Sequence, residues 1–332
     1  MAKLMLNDVL ERYNEEICIF LFLKKVVKDV KDGRTNLTVY LTDASGELVG
    51  KIWNDFYKPD FERLEEKIVK VKGYIELYRG IPQIKVIDMR IAKQNEYDTD
   101  DFSPSVDNVD ELMQTIFSYI NIVKKPHIKM LLRRFFDNDK FLKAFKRCQG
   151  GTTIHHALRG GLALHTATVL IDAVSFIQIY EDAGNRIHEG FDRDMVIAGA
   201  ILHDIGKVKE YKSFPINKRT IEGLMQGHLS LGYAMVYAAI RDMEREEIQF
   251  PKEDENKLLH IILTHHGELD DVIKPTSTGN ILKPSCVEAV IISRTDEKDS
   301  RVNAFETAIN EDNGDGDLTR FNYFMKTYIY KR

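Results

Sequence analysis

A histidine and an aspartate stand side by side at the end of an apolar segment, in the stretch Ala198 to Lys209. Neutral imidazole is a good ligand for transition metals, and a carboxylate can bridge two ions, so His203–Asp204 suits a divalent metal. Gly206 would let the backbone approach a ligand closely, and Lys207 would place a positive charge where a phosphate could bind. For an isolated dipeptide the alternative is a buried hydrogen bond at a helix end, because short motifs often occur without a function.

The distribution of histidines favours the metal interpretation. Nine of the ten histidines lie between residues 155 and 266, and several stand in short apolar contexts. A lone histidine on an apolar face is usually a core residue, but several at the ends and faces of helices indicate a metal site formed by converging helices. The candidates from these contexts, with the carboxylate-rich segment 296–299, are His165, His203, Asp204, His228, His265, His266 and Asp296.

The helices that must position these residues follow residue 109. Apolar residues at helical spacing predict them, and Pro126 is expected to end the first. The predicted helices cover residues 110–123, 128–136, 140–146, 161–180, 194–203, 223–244, 256–263 and 283–309. The aromatic-rich segment 321–330 is expected to pack on one of the domains.

The first part of the chain has the pattern of strands. Apolar or alternating segments predict five strands, at 17–23, 37–42, 47–53, 68–75 and 81–87. Five strands with a polar segment between the third and fourth fit a small Greek-key barrel of the OB type, although other small barrels give the same pattern. The predicted fold class is a multidomain α+β chain. It has an OB-type nucleic-acid-binding domain (1–93), an acid-rich linker (94–108) and an all-α domain (109–332).

An OB barrel could offer aromatic and basic side chains to a single strand. The alternative for most of its aromatics is packing inside the barrel. The barrel segment is not basic overall, since residues 1–92 contain 16 Lys and Arg against 15 Asp and Glu. The candidates for a binding face are Tyr40, Trp53, Phe56, Tyr57, Tyr74, Tyr78, Lys24, Lys25, Lys51 and Arg79.

The composition predicts a cytoplasmic globular protein. Of 332 residues, 43% are hydrophobic and 30% charged, and we expect no apolar run long enough to span a bilayer and no signal peptide. Three widely separated cysteines, Cys18, Cys148 and Cys286, predict buried free thiols in a reducing compartment. The net charge of −5 gives no sign of nucleic-acid binding, so a polyanion would need a local basic surface or a metal.

The order of the candidates resembles that of the HD-domain superfamily of metal-dependent phosphohydrolases, in its two-metal branch, over roughly residues 150–305. The stretches 155–166, 222–228 and 264–267 and the pair Lys283–Pro284 are similar to one subgroup. That subgroup is the bacterial 3′–5′ exoribonucleases that join an N-terminal OB fold to a C-terminal HD domain. The domain order predicted from the strand and helix patterns agrees with it.

The resemblance implies divalent metals, two in number, with manganese expected and iron, cobalt, nickel, zinc or magnesium left open. The ligands implied for the first metal are His165, His203, Asp204 and Asp296. Those implied for the second are Asp204 as a bridge, His228 and His265, with His266 as a further ligand or a phosphate contact.

The resemblance also implies roles around the metals. Asp204, Lys207 and His266 would be catalytic, with Lys207 contacting the phosphate, and Arg159, Gly160 and Gly161 would line the substrate path. For His155 and His156, packing behind the ligands and catalysis both stay open, and Asp299 is expected to support a ligand or a helix face. The segment Arg294 to Asp299 departs from the usual Ile-Asp-Asn-Ile-Asp-like segment but keeps the spacing of its two aspartates.

The expected function is that of a metal-dependent 3′–5′ exonuclease that hydrolyses single-stranded RNA through a water activated by two metals. Single-stranded DNA is an open second substrate, no membrane partner is expected, and a homo-oligomer is left open. One alternative is an HD-type phosphohydrolase of nucleotides or cyclic dinucleotides, against which the barrel argues. Another is a nucleic-acid-binding protein with an idle metal site, against which the intact ligand set argues.

Overall fold

The computed structural model describes residues 4–151, 156–183, 191–212, 215–216, 218–267, 282–312, 314–323 and 325–332. The chain divides into two compact units. One consists of Met1–Ser105 and Phe214–Ile216, and the other of Val106–Ser213 and Asn217–Arg332.

The first unit is a closed five-stranded barrel. A short helix α1 (Leu6–Val9) precedes the strands β1 (Glu16–Lys31), β2 (Arg34–Asp43), β3 (Gly46–Ile52), β4 (Lys67–Tyr78) and β5 (Ile81–Ile91). The strands follow one another around the barrel in the order β1-β2-β3-β5-β4, and only β3 and β5 pair in parallel. This is the Greek-key order of an OB fold, so the predicted barrel is confirmed.

Long, bent strands close the barrel. β1 pairs with β4 from Glu16 to Leu23 and with β2 from Phe22 to Lys31, and the register shifts between Leu23 and Lys25. A shift of this kind bends a strand, so one strand serves both edges. On β2 the alternation is regular, with Leu37, Val39 and Leu41 buried in the core.

The candidates for a strand-binding face divide between the surface and the core. Tyr40, Trp53 and Tyr78 are exposed, and the guanidinium of Arg79 lies 5.3 Å from the centre of the Tyr78 ring. Phe56 and Tyr57 pack against the barrel core, so for these two the alternative of core packing is correct. Tyr74 is half-buried, Lys24 pairs with Glu47, and Lys51 donates to Thr38.

The second unit is helical, which confirms the predicted fold class. Its helices are α2 (Val109–Ile122), α3 (Pro126–Phe136), α4 (Asp139–Arg147), α5 (Gly161–Asp182), α6 (Arg193–Leu202), α7 (Lys207–Glu210), α8 (Ile221–Arg245), α9 (Lys252–Thr264) and α10 (Val287–Asn310). Pro126 starts α3 instead of ending α2, because proline is well suited to a first helical turn. The short helix α7 was not predicted, and α8 is broken at Gly227, whose φ is 71°.

Two helices at the centre of this unit are mostly apolar. In α6 every residue from Asp194 to Leu202 is buried. By length and composition alone α5 could cross a membrane, contrary to the expectation from the sequence. The most apolar window of α5 is 56% buried inside the unit, as is usual for a core helix.

The cysteines and the aromatic segment complete the comparison with prediction. The three cysteines are free, but Cys18 is exposed and Cys148 and Cys286 are half-buried, so the expectation of burial is wrong. The aromatic segment forms a small hairpin, in which Leu318 bridges to Tyr330 and Asn322 to Thr327. The hairpin belongs to the helical unit.

Candidate metal centre

The ends and buried faces of five helices position the candidate ligands. His165 is on α5, and His203 and Asp204 directly follow α6. His228 is on α8 just after the break at Gly227, His265 and His266 directly follow α9, and Asp296 is on α10. The helical unit therefore brings all seven predicted metal ligands into one cluster.

The first part of the cluster consists of His165, His203 and Asp296, all buried. Nε2 of His165 lies 3.1 Å from Nε2 of His203 and 3.1 Å from Oδ1 of Asp296. Oδ2 of Asp204 lies 3.2 Å from the same His165 nitrogen. Two imidazole nitrogens and two carboxylate oxygens thus point at one location.

The second part consists of Asp204, His228, His265 and His266. Oδ1 of Asp204 lies 3.4 Å from Nε2 of His228 and 3.5 Å from Nε2 of His265. Nε2 of His266 lies 3.1 Å from Nε2 of His228. The two oxygens of Asp204 therefore face different parts of the cluster, as a bridging carboxylate would.

Backbone carbonyls fix the orientation of two of these histidines. Nδ1 of His203 donates to the carbonyl of Ala200 at 2.8 Å, and Nδ1 of His265 donates to the carbonyl of Ile262 at 2.9 Å. A carbonyl can only accept, so each ring carries its proton on Nδ1 when neutral. The lone pair on Nε2 then points into the cluster, as metal binding requires.

Carboxylates lie behind two further histidines. Oδ2 of Asp299 is 2.6 Å from Nδ1 of His165 and 2.7 Å from Nε2 of His156. Oε2 of the buried Glu210 is 3.0 Å from Nδ1 of His228. A hydrogen-bonded carboxylate orients a histidine and strengthens it as a ligand, as Asp299 does for His165. Glu210 places a negative charge at ion-pair distance behind His228.

Sequence reasoning missed Glu210. Its other carboxylate oxygen lies 3.2 Å from Nε of Arg219, which pairs with Tyr211 across a short bridge. Gly223 at the start of α8 allows this arrangement, because a Cβ there would lie 2.4 Å from the Glu210 carbonyl oxygen. The one signal in the sequence is an acidic residue close after Lys207, and it does not reveal the histidine that the acid contacts.

Gly206 serves a contact between two elements. A Cβ at this position would lie 2.0 Å from the carbonyl oxygen of His228 and 2.5 Å from the nitrogen of Gly232, both in α8. The structure thus gives Gly206 a packing role, and the interpretation that it also admits a ligand stays a prediction. The glycine lets the segment that carries Asp204 pack directly against the backbone of α8.

The backbone also requires glycine at two other predicted positions. Gly160 has a φ of 83°, and a Cβ at Gly161 would lie 2.0 Å from the carbonyl oxygen of His156. Arg159, which precedes them, is half-buried. The substrate-path role of these three residues stays a prediction, and His155 lies outside the described residues.

Two histidines and two aspartates of the cluster have the protonation states that bind metal. Burial lowers the pKa of His265 to about 3 and also lowers the pKa of His228, so both are neutral at pH 7. Burial would raise the pKa of Asp204, but Lys207 and the histidines hold it well below its ordinary value. Burial would raise the pKa of Asp296, but His266 and His165 hold it well below its ordinary value. Neutral imidazoles and ionised carboxylates are the forms that bind metal.

Buried polar atoms without partners test whether metal ions fit. Oδ1 of Asp204 and Nε2 of His265 have no hydrogen-bond partner among the described residues. A buried acceptor left in this way costs about 1–3 kcal/mol, so a missing partner is expected. Divalent transition metals prefer this set of imidazole nitrogens and carboxylate oxygens, and the residues therefore fit them.

Access to the cluster differs among its members. The side chain of His266 is 35% exposed, and Nδ1 of this residue lies 3.2 Å from Oδ2 of Asp296. Lys207 is buried, and its amine lies 2.5 Å from Oδ2 of Asp204. The cluster therefore presents one histidine toward solvent and holds one ammonium group inside.

Comparisons with known proteins identify the family of the chain. Residues 163–301 match the HD domain family. The chain is 33% identical over 315 residues to the 3′–5′ exoribonuclease YhaM of Bacillus licheniformis, which covers 93% of this chain and 91% of that protein. It is 32% identical to the YhaM exoribonuclease of Bacillus subtilis, with the same coverage. A solved structure of a Replication Protein A heterotrimer bound to ssDNA covers 28% of this chain, with 15% identity and a TM-score of 0.22, too low to support a conclusion.

Proposed function

The chain belongs to the HD-domain, YhaM-like family of 3′–5′ exoribonucleases and is a hydrolase acting on nucleic acid; on this premise, we propose that it removes nucleotides from the 3′ end of single-stranded RNA. The HD domain implies divalent metal binding, and we propose two ions, held by residues of the cluster. Single-stranded DNA is a second candidate substrate.

The observation that carries the proposal is the position of Asp204. Its two carboxylate oxygens face two separate sets of imidazole nitrogens, at distances of 3.2 to 3.5 Å. Two divalent ions bound there would lower the pKa of a water and neutralise charge on a phosphodiester. We propose His165, His203 and Asp296 as the remaining ligands of the first ion, and His228 and His265 as those of the second.

The residues of the chain have further proposed roles in the reaction. His266 touches both parts of the cluster and is the most exposed member, so it is suited to contact the scissile phosphate as the strand enters. The ammonium group of Lys207 is buried beside Asp204 and can donate to a phosphate oxygen. Asp299 would hold His165 in orientation from behind, and Glu210 would place a negative charge behind His228.

The barrel has a proposed role in holding the strand. Tyr40, Trp53 and Tyr78 are exposed aromatics on an OB fold, and stacking of bases on such rings does not depend on sequence. We therefore propose residues 1–93 as the nucleic-acid-binding domain, joined through residues 94–108 to the hydrolytic domain at 109–332. A strand-binding domain favours a polynucleotide substrate over a free nucleotide.

The experiment uses the purified full chain with manganese. It is incubated with 5′-labelled single-stranded RNA, single-stranded DNA and, separately, cyclic dinucleotides. We expect a ladder of RNA products shortened from the 3′ end, and no ladder with Asp204→Ala. Asp315→Ala, which removes an exposed aspartate of the same unit, is the matched control and should leave the ladder unchanged.

Other results would select the alternatives. Hydrolysis of cyclic dinucleotides without any shortening of RNA would indicate a nucleotide phosphohydrolase. Strand binding without bound metal and without hydrolysis would indicate a binding protein with an idle site. Full activity of Asp204→Ala would exclude the proposed bridge.

A further inference from the structure

The hairpin formed by residues 318–323 and 325–330 carries a cluster of aromatic rings that the hydrolytic centre does not use. The ring of Phe321 packs edge to face against the rings of Tyr323 and Tyr328, with centroids 5.2 Å apart in both pairs. Tyr323 is 86% exposed, Tyr328 is 59% exposed and Tyr330 is 60% exposed. Large aromatic surfaces gain most from burial, so several exposed together indicate a binding surface.

The hairpin holds these rings on a defined scaffold. The backbones of Asn322 and Thr327 bond to each other in both directions, and Thr319 donates to the carbonyl of Ile329 at 2.8 Å. Ile329 is buried. The carboxylate of Asp312 accepts from the backbone nitrogen of Arg320 at 2.6 Å and so ties the hairpin to the end of α10. Rings held in this way lose little freedom when they bind.

The charge of the hairpin is opposite to that of the whole chain. Residues 318–332 contain four basic residues and no acidic residue, whereas the chain has a net charge of −5. Lys331 and Arg332 pair with Asp312 and Asp317. Arg320 and Lys326 are exposed and border the aromatic cluster in sequence.

We propose that the aromatic hairpin, residues 318–323 and 325–330, is a second binding surface for the single-stranded substrate. Bases would stack on Tyr323 and Tyr328, and Arg320 and Lys326 would contact backbone phosphates. Aromatic rings interleaved with cations match a ligand that has both planar faces and a regular negative charge, and single strands are recognised in this way. The inference rests on the proposed function, because it takes a single strand as the ligand.

The test measures binding separately from hydrolysis. The full chain is titrated into 5′-fluorescein-labelled oligouridylate in EDTA, and the dissociation constant is obtained from fluorescence anisotropy. Replacing one stacking ring by alanine costs about 5- to 150-fold in affinity at other single-strand surfaces, so we expect a loss in this range for Tyr323→Ala. Tyr323→Phe keeps the ring and should bind like the natural chain. Ile179→Ala, which trims a 69% exposed side chain on α5, is the matched control.

A second measurement follows the charge. The logarithm of affinity falls with the logarithm of salt concentration by about 0.7 per phosphate contact for a single strand. The double variant Arg320→Gln, Lys326→Gln should therefore reduce this slope by about 1.4. Circular dichroism and thermal unfolding on the same samples establish that each variant is folded, which is expected because Tyr323 is so exposed.

The possible failures are distinct. Equal affinity of the natural chain, Tyr323→Ala and the double variant would overturn the hairpin surface and leave the proposed function intact. A change in molar mass by light scattering for Tyr323→Ala, without a change in strand affinity, would overturn it in favour of self-association. No binding and no hydrolysis of any strand by the natural chain would overturn both the hairpin surface and the proposed function.

Discussion

Gly206→Ala should damage the metal centre without removing a ligand. The new Cβ would lie 2.0 Å from the carbonyl oxygen of His228, whereas real Cβ atoms essentially never approach closer than 3.0 Å. One of the two segments must therefore move by about 1 Å, because both sides of the contact are backbone. The segment with Asp204 must therefore move away from α8, which carries His228.

The displacement predicts two measurable losses. Overpacking of this kind costs about 1–3 kcal/mol of unfolding free energy. A misplacement of about 1 Å can also reduce turnover about 100-fold, because the ligands no longer converge. We expect the second metal to be lost first, since Asp204 and His228 lie on opposite sides of the contact. Metal content by mass spectrometry of the purified protein and turnover of a small phosphodiester measure the two effects.

Matched glycine variants make the test specific. Gly199→Ala on α6 would meet only side-chain atoms, 3.1 Å away on Ile261, and these can shift. Gly232 lies on α8 at the same contact, and a Cβ there would be 3.3 Å from the Gly206 nitrogen. We expect near-normal metal content for Gly199→Ala and an intermediate loss for Gly232→Ala. Folded Gly206→Ala with full metal content and turnover would refute the reasoning.

Three further substitutions test separate parts of the helical unit. Glu210→Gln should weaken binding of one metal by about 10- to 100-fold in a metal titration, because it removes the negative charge behind His228. Glu222→Gln, on the exposed side of α8, is the control and should leave metal binding unchanged. Lys207→Met should lower single-turnover rates by about 10- to 150-fold with metal content kept, because a protonated amine is no ligand; loss of metal would contradict this. Asp254→Asn should lower the free energy of unfolding by about 1.5–3 kcal/mol near neutral pH, because it weakens a partly buried contact with Lys125. Burial would raise the pKa of Asp254, but Lys125 and His127 lower it below the ordinary value of 3.8. The carboxylate therefore stabilises the fold above about pH 3.8, and this stabilisation is lost as the pH falls through the lowered pKa. Urea unfolding from pH 2 to 7 should therefore show a shallower acid loss in the variant, and parallel curves would contradict the assignment.

Much of the architecture could be predicted because it depends on short-range patterns. Strand alternation and turn residues predicted the five-stranded barrel, and helical spacing of apolar residues predicted the helices that carry the cluster. Element ends were less predictable. β1 continues to Lys31 through mostly exposed residues without regular alternation, because its pairing with β2 extends it.

The order and residue types of the candidate ligands were present in the sequence, since a metal site needs particular donor atoms. Residue order also indicated the family to which the chain belongs. Sequence order alone did not show that Asp204 directs its two oxygens to different sets of histidines, because those distances depend on how α5, α8, α9 and α10 pack around it.

Only the tertiary structure decided what supports the ligands. Glu210 reaches His228 because Gly206 and Gly223 let the segment after α6 lie directly against α8, and neither contact has a signature in local sequence. Asp299 supports His165 from a helix more than a hundred residues away along the chain. Donor atoms are properties of residues, whereas their orientation comes from backbone contacts between elements that only the packed fold brings together.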